Sequence, residues 1–368
     1  MSVFHTRPAL RWLVPAAATL AIVGGGAAIG TFSAAAEPSL PERSAAQLLV
    51  DLQTARLDGL SGTVIKRADL GLPAIAGLGA RGSAELTSLV AGTHTMRVWY
   101  AGPDQARVAV LGTLGETDVI RNGTDVWVWD SQTNKAQHST LAPSDGKPAA
   151  GPADLPSTPQ EAADQALAAI DPSTEVSVGR SATIAGRDAY ELVLDPRDEA
   201  SLVDQIRIGI DATEHVPLRF EVFAQGTDKP AFSLAFSQVD FERPDPAQFA
   251  FNPPSGATVT EGSQPEREQA GPDRADRPTT VGSGWTTVLV ARTPDLSTTE
   301  GSDAGQPSGS DADQLSGLLG QLPKVSGAWG SGRLLTGKLF SALLVDDGRV
   351  LVGAVTPERL YEVAQSSR

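Results

Sequence analysis

The sequence predicts an α+β protein, with an antiparallel sheet of many strands, two or three helices on one face, and a small α/β unit after it. Three observations support this fold class. Apolar and polar residues alternate over residues 205–241, short turn sequences separate the alternating stretches, and the composition shifts to polar residues, Pro and Gly after residue 252. A chain of 368 residues is long enough for two folded units and linkers.

The clearest alternation lies between Gln205 and Phe241. The apolar positions of three successive strands are Ile206, Ile208 and Ile210; Phe220, Val222 and Ala224; and Phe232, Leu234 and Phe236. At Gln238 the apolar positions change from even to odd numbers, with Val239 next. Because side chains alternate between the two faces of a strand, this change predicts a bulge or a sharp coil near Gln238.

Residues 1–36 are typical of a targeting segment. Arg7 and Arg11 precede an uncharged stretch that ends in Ser-Ala-Ala-Ala before Glu37. We interpret the segment as a signal peptide or an N-terminal membrane anchor. Either one predicts an extracytoplasmic location for the rest of the chain, in the cell envelope or secreted, with a tether to the cytoplasmic membrane if the segment is retained.

The predicted elements before residue 205 alternate between strands and helices. A helix is predicted from Ser44 to Leu57, with Ser44 as its N-cap, and a second helix begins at Thr158. The predicted strands cover residues 61–68, 93–100, 105–111, 117–121, 125–130, 175–180 and 189–194. Between the first two strands, residues 69–92 are rich in Gly, Ala and Leu with almost no charge, which predicts either a mobile apolar flap or a poorly defined excursion.

The strand at residues 125–130 is apolar on both sides. Val126 and Val128 alternate with Trp127 and Trp129, and an Asn-Gly turn signal precedes the strand. Each face of this strand therefore needs cover from a helix, a second domain or a bound apolar molecule.

A second folded unit is predicted at residues 281–368, after a disordered linker at 253–280. A low-complexity run at 293–313 interrupts it, and a short helix at 315–322 and a Gly-rich loop at 327–332 follow. Asp346-Asp347-Gly348 is the strongest hairpin signal in the chain, and Thr356-Pro357 opens a last helix.

Composition excludes several classes of function. The chain has no cysteine, which excludes disulfides, thiolate chemistry and an N-terminal lipidated cysteine. A net charge of -15 argues against a nucleic-acid partner. The four histidines lie far apart and no catalytic motif includes them, so we predict no enzyme, no cofactor and no metal.

Four short motifs have simpler explanations than a site. Residues 77–82 match G-x-G-x-x-G, but no strand-helix-strand unit surrounds them. Residues 329–333 could form an anion-binding nest, although such a run more often precedes a strand as a turn. The acidic pairs at 311–313 and 346–347 lack the spacing of a calcium loop. A glycosylation sequon at 122–124 is explained by the turn alone.

The order of several motifs resembles a known family. An Ile-x-Ile-Asp strand end is followed by Pro-Leu-Arg-Phe-Glu-Val at 217–222, by a strand closing on Val-Asp-Phe at 239–241, and by Phe-x-Phe-Asn-Pro-Pro at 249–254. This order resembles the LolA and RseB (MucB) group of periplasmic lipoprotein carriers and lipid-sensing regulators. The resemblance covers residues 37–252 and the few that follow. One departure is His215-Val216, where that group commonly has Gly-Leu.

The resemblance implies a half-barrel whose concave side, lidded by helices, holds acyl chains. It therefore implies a lipid-binding cavity lined by aromatic residues of the predicted sheet. The residues concerned are Trp99, Trp127, Trp129, Phe220, Phe232 and Phe236. For each of them taken singly, ordinary core packing is the alternative interpretation.

Two functions follow from the resemblance. The first is an exported, non-enzymatic carrier that binds a lipid or an acylated lipoprotein and shields its acyl chains from water. The alternative is an RseB-like regulator of envelope stress, with a membrane anti-sigma factor as its partner. Identification of the bound partner would separate the two.

Overall fold

The computed structural model describes residues 38–71, 92–141, 158–160, 173–262, 278–292 and 321–367. Residues Leu40–Arg368 form one compact unit. Within this unit, the described strands assemble into two sheets, one of 13 strands and one of six.

The first sheet is predominantly antiparallel. Its strands are β1 (Leu60–Ala68), β2 (Gly92–Tyr100), β3 (Gln105–Leu111), β4 (Glu116–Asn122), β5 (Asp125–Asp130), β6 (Lys135–Thr140), β7 (Thr174–Val178), β8 (Ala182–Ile184), β9 (Arg187–Pro196), β10 (Val203–Asp211), β11 (Pro217–Ala224), β12 (Pro230–Asp240) and β13 (Thr258–Glu261). Their spatial order is β13-β6-β5-β4-β3-β2-β1-β12-β11-β10-β9-β7, and β8 also pairs with β9. Only β13 and β6 pair in parallel among these strands. The sheet curls without closing, since β13 and β7 end it on opposite sides.

The two faces of this sheet differ sharply in polarity. We call the face that carries Val64, Phe236, Ile208 and Leu192 the inner face, and the opposite one the outer face. Strand register places the buried isoleucines of β10 and the leucines of β9 on the inner face, where they form the main core. The polar residues that alternate with them lie on the outer face.

Helix α1 (Ala45–Thr54) packs on the inner face. It buries Leu48 and Leu52 in the core, as their spacing of four residues on one helix face requires. The predicted N-cap is confirmed, because the Ser44 side chain accepts a hydrogen bond from the Gln47 backbone N–H and the Gln47 side chain accepts one from the Ser44 N–H. This reciprocal pair satisfies two N–H groups that the helix itself leaves unbonded.

The predicted bulge is present in β12, one residue before Gln238. Val64 of β1 is opposite Phe236, whereas Thr63 is opposite Gln238, so Ser237 is the extra residue. Gly62 lies beside this bulge, and a Cβ atom there would stand 2.5 Å from the Gln238 carbonyl oxygen. The close approach of the two strands at the bulge thus requires glycine at position 62.

The second sheet is antiparallel and carries its own core. Its strands are β14 (Thr279–Val281), β15 (Val288–Arg292), β16 (Lys324–Gly327), β17 (Gly330–Thr336), β18 (Ser341–Val345) and β19 (Arg349–Gly353), in the order β14-β15-β19-β18-β17-β16. Helix α2 (Pro357–Ser366) packs on this sheet through Leu360 and Val363. The Trp329 and Tyr361 rings stack with centroids 5.5 Å apart.

Backbone and side-chain hydrogen bonds connect the two sheets at three places. The Leu202 N–H donates to the Ala354 carbonyl at 2.9 Å. The Trp285 indole N–H donates to the Thr174 hydroxyl at 2.7 Å. The Lys338 backbone N–H donates to the Leu70 carbonyl at 2.7 Å, next to the ion pair that its side chain makes with Asp69.

Several observed strands were not predicted. Strands β6, β8, β14, β16 and β17 are short or have few apolar residues, and β16 and β17 occupy most of the predicted Gly-rich loop. Strand β13 lies within the range predicted as linker. Other predictions lie outside the described residues, namely the segment 1–36, the helix beyond Gln160, the flap and glycine motif over 72–91, the run at 293–313, and the helix at 315–320.

Candidate ligand-binding surface

An apolar row crosses the inner face and leads from the core to exposed surface. Strand register places Val98, Val108, Val119 and Val128 side by side on β2, β3, β4 and β5. Val98 is 3% exposed and Val108 packs partly buried against the core. Val119 is 45% exposed and Val128 is 39% exposed. The apolar surface of the inner face therefore extends beyond the covered core to exposed residues.

Polar residues flank the exposed end of this row. On one side lies Arg121, whose guanidinium donates to Asp104 at 3.0 Å. On the other side Thr117 is opposite Asp130, and Asp130 is opposite Lys135. The apolar strip is thus one residue wide on β4, at Val119, and two residues wide on β5, where half-buried Val126 lies on the same face as Val128 and opposite Arg121. Groups that prefer water bound it on both sides.

The structure places Phe220, Phe232 and Phe236 on the inner face. Phe220 and Phe236 are 6% and 5% exposed, and the Phe220 and Phe232 rings meet edge to face with centroids 6.4 Å apart. All three contact the main core cluster. Phe236 is linked to the apolar row, since its ring packs beside Gly62, which is opposite Val98.

Trp99, Trp127 and Trp129 lie on the outer face. Trp99 pairs with Arg107 across the strands, and the Arg107 guanidinium carbon lies 5.1 Å from the Trp99 ring centroid. Phe251 packs at 5.2 Å from Trp127 and at 5.9 Å from Trp129. The structure therefore does not bring the six predicted residues together, because three lie on each face of the sheet.

A short segment after β12 covers these tryptophans. It forms a 3-10 helix over Pro246–Phe249, with Phe249 only 1% exposed. The Arg107 side chain joins this segment to the sheet, since it donates to the Gln248 carbonyl and pairs with the fully buried Asp118 at 2.7 Å. The expectation that both sides of β5 need cover is met on the outer face, whereas Val128 stays exposed on the inner face.

Each face of the first sheet carries ionisable side chains whose pKa is shifted by burial or by a neighbouring group. Burial in the apolar surroundings of the inner face lowers the pKa of Lys66, which is 5% exposed. On the outer face, a hydrogen bond with Asp118 is the largest cause that raises the pKa of Glu116, followed by burial. The Glu116 carboxyl group therefore keeps its proton to a higher pH than an isolated glutamate does.

The sequence pattern indicated that the side of β5 with Val126 and Val128 needs cover, but Val119 was not identified as its neighbour. The available signal was the alternation of Val119 and Val128 with Asp118, Ile120, Trp127 and Trp129, which places the two valines on one face. Their exposure depends on which elements cover that face, and the pattern of a single strand does not specify this.

The described residues contain no group of three or more side chains with the ligand types of a metal site. Over the same residues, no helix is both long enough and apolar enough to cross a membrane. His138 lies between two carboxylates, with Nε2 3.0 Å from Asp125 and Nδ1 3.0 Å from Glu261.

No protein-family model and no curated protein sequence matches the chain. Among solved structures, the chain is similar to the complex of MucA and MucB from Pseudomonas aeruginosa, with 15% identity and a TM-score of 0.45, over 87% of this chain and 96% of that one. It is also similar to an uncharacterized conserved protein from Thermus thermophilus, with 14% identity, a TM-score of 0.34, and coverage of 59% of this chain and 99% of that one.

A LolA superfamily protein from Nitrosomonas europaea is similar at 13% identity and a TM-score of 0.23, over 57% of this chain and 99% of that one. These proteins include members of the group that the sequence motifs resemble. Their identities and TM-scores are too low to carry a ligand or a partner over to this chain.

Proposed function

We propose that this protein is a non-enzymatic carrier that binds an acyl chain of a lipid or lipoprotein on the inner face of its curled sheet. One observation carries the proposal, namely the apolar row that leaves the core at Val108 and reaches exposed Val119 and Val128. Neighbouring valines in register, left uncovered beside a buried core, are a surface that an apolar ligand can complete.

The dimensions of the row suit one extended hydrocarbon chain. Adjacent strands lie about 4.8 Å apart, so the row from β2 to β5 spans about 14 Å, of which the exposed end on β4 and β5 takes up about 5 Å. The polar groups of Arg121 and Asp130 on either side favour a narrow ligand over a broad apolar one. The carboxylate or phosphate end of such a ligand would remain in water at the β5–β6 side.

The energetics favour reversible binding. Each buried methylene contributes about 0.8 kcal/mol, so ten of them contribute about 8 kcal/mol. Association costs an estimated 4 kcal/mol or more in lost freedom of motion. A single chain would therefore be held with modest affinity, as a protein that must release its cargo requires.

Export by residues 1–36 fits this role. An acyl chain has to be shielded from water only where no bilayer surrounds it, and a carrier outside the cytoplasmic membrane meets that situation. The lipid-bearing partner, the membrane tether and the extracytoplasmic location belong to this proposal together.

Mass spectrometry of lipids extracted from the purified full chain tests the proposal. We expect a co-purifying acyl compound, displaced by added palmitate in proportion to its concentration. Recovery of a chain free of acyl compounds that also fails to bind a fluorescent fatty acid would exclude the carrier function.

A second candidate is a regulator whose second sheet binds a membrane anti-sigma factor. The observation that favours it is the three-point connection between the two sheets, which would let a ligand on the first sheet affect a partner on the second. Affinity capture from envelope membranes with the full chain separates the candidates. A single-pass membrane protein retained without acyl cargo supports regulation.

A further inference from the structure

We propose that a groove on the outer face, anchored by Arg207, binds the carboxylate of an acidic ligand. The groove has a volume of about 560 Å³ and lies over β9 and β10, beside the turn between β7 and β8. Its lining includes Ser177, Ser181, Val193 and Arg207. It lies on the opposite side of the sheet from the apolar row, so it constitutes a separate site.

The Arg207 guanidinium is held in place by two contacts. Its Nε donates to the Gln205 side-chain oxygen, and its central carbon lies 4.6 Å from the centroid of the Phe223 ring. Gln205 is itself fixed by a hydrogen bond of 3.0 Å to Asp195. A guanidinium held by stacking and by its Nε loses little further freedom when it binds a ligand.

The two terminal nitrogens of Arg207 remain available. Across the part of the chain that the structure describes, the Arg207 guanidinium makes a hydrogen bond only with Gln205 and a ring contact only with Phe223, and its strand neighbours are Val193 and Glu221. Two parallel N–H groups on these nitrogens match the two oxygens of a carboxylate. The geometry thus offers an end-on, bidentate site that opens into the groove.

The acidic residues of the groove are already engaged. Glu191 accepts a hydrogen bond from Arg219 at 2.8 Å, and Asp195 accepts one from Gln205. Their charges nevertheless lie close by, so the group that binds Arg207 should be a carboxylate, which brings one negative charge to the guanidinium, and not a phosphate, which brings up to two.

The groove is open enough to accept a carboxylate from more than one kind of ligand. Gly179 lies so close to Glu191 that an added Cβ atom would stand 2.5 Å from the Glu191 carboxylate oxygen. Because glycine has no side chain, this side of the groove stays thin. The remaining space is lined by the hydroxyl groups of Ser177 and Ser181, by apolar Ala182 and Val193, and by a second arginine, Arg180. An acidic peptide or a small organic acid could supply the carboxylate.

Calorimetric titration of the full chain tests this site with succinate, a glutamate tetrapeptide and inorganic phosphate as probes. We expect saturable binding of the carboxylates, weakened at least about tenfold by Arg207→Gln and also by Arg207→Lys, which lacks the fork. Tighter binding of the tetrapeptide than of succinate would identify a peptide source, and the reverse a small acid. Arg67→Gln makes the same change of charge on an exposed part of β1 and should leave affinity unchanged.

Ser181→Trp supplies a second variant that fills the groove and leaves Arg207 intact, so the test survives if Arg207→Gln fails to fold. Unchanged carboxylate affinity in Arg207→Lys and Ser181→Trp would overturn the proposal. Phosphate affinity equal to that of succinate would overturn the assignment to a carboxylate, as would the lack of saturation by either carboxylate at about 10 mM.

Discussion

Arg187 and Asp211 form a two-point ion pair at the edge of the core, with both Nε and Nη2 of the arginine donating to the carboxylate. Asp211 is 1% exposed and also accepts hydrogen bonds from the backbone N–H groups of Thr213 and Glu214. The arginine packs on the Phe241 ring at 4.6 Å. One carboxylate thus fixes the β10–β11 turn and ties it to the start of β9.

Asp211→Asn should destabilise the fold by about 1.5–3 kcal/mol, because it removes the charged partner of Arg187, whose guanidinium is one-third exposed and can still be solvated. Thermal or urea unfolding of the full chain measures the loss. Asp188→Asn, at an exposed position on the same strand as Arg187, is the matched control and should cost under about 0.5 kcal/mol. Equal losses in the two variants would contradict a special role for this pair.

The same pair predicts an acid dependence of stability. Burial alone would raise the pKa of Asp211, but the hydrogen bonds from Arg187, Glu214 and Thr213 outweigh it and hold this pKa below its usual value. The stabilisation is therefore complete above the unfolded pKa of about 3.9 and is lost as the pH falls through the folded pKa. Unfolding free energies measured from about pH 5 down to about pH 2 should show a steeper decline in the native chain than in Asp211→Asn.

His138 predicts the opposite dependence at strand β13. Hydrogen bonds with Asp125, first, and with Glu261 raise the pKa of this histidine. Its contribution is complete below the unfolded pKa of about 6.5 and is lost as the pH rises through the folded pKa. Amide exchange at Gly262, whose N–H bonds the His138 carbonyl, should accelerate over that range after correction for the intrinsic rate.

His138→Gln provides the control for this second dependence. Because glutamine does not titrate, the protection of the Gly262 amide against exchange in this variant should be the same at every pH from about 6 to about 9, after correction for the intrinsic rate. A native chain whose Gly262 exchange shows no pH effect beyond the intrinsic rate would remove the basis for this role of the histidine.

Val119→Lys should abolish most binding of an acyl probe, because it places an ammonium group in the middle of the apolar row. We expect the affinity for a fluorescent fatty acid to fall at least about tenfold, with little change in melting temperature since the position is exposed. Val259→Lys is the matched control, with the same residue type and the same 45% exposure, on the outer face. Similar losses in both variants would count against the inner face as the binding surface.

Gly62→Ala should destabilise the junction of β1 and β12 by about 1–3 kcal/mol through overpacking. The added methyl group would press on the Gln238 carbonyl and on the Phe236 ring, 2.9 Å away. Chemical denaturation compared with Ser61→Ala, the adjacent position on the other face, measures the cost. A neutral result would mean that the bulge at Ser237 relaxes to accommodate the extra atom.

The alternation of Ile206, Ile208 and Ile210 was sufficient to predict the central strands of the first sheet, because a half-buried strand leaves a period of two. The change of parity at Gln238 located the bulge to within one residue. Glycine turns located hairpins in both sheets, and Gly123 and Gly348 have the positive φ angles that such turns require. The elements that a single strand or turn specifies locally could therefore be predicted from the sequence.

The two faces of the aromatic set were harder to assign. Trp127 and Trp129 were predicted to share a cavity with Phe220 on grounds of family resemblance, yet register places them on the outer face beneath Phe251. Their face depends on how β4 and β5 join β1 through two intervening strands, which is non-local information. Strand β13 was missed because four exposed residues carry no burial pattern.

The pairing of β1 with β12 has a consequence for the order of assembly. Hairpins from β2 to β6 and from β9 to β12 pair segments that are close in sequence. The two halves of the sheet, β1–β6 and β7–β12, join only when β1 pairs with β12, for example Ser61 with Asp240. During synthesis, each half exposes an unpaired strand edge until that late segment emerges. A ribosome paused before residue 230 would hold a nascent chain whose strand edge is unpaired and prone to aggregation. A chaperone that covers strand edges would therefore matter most at that stage.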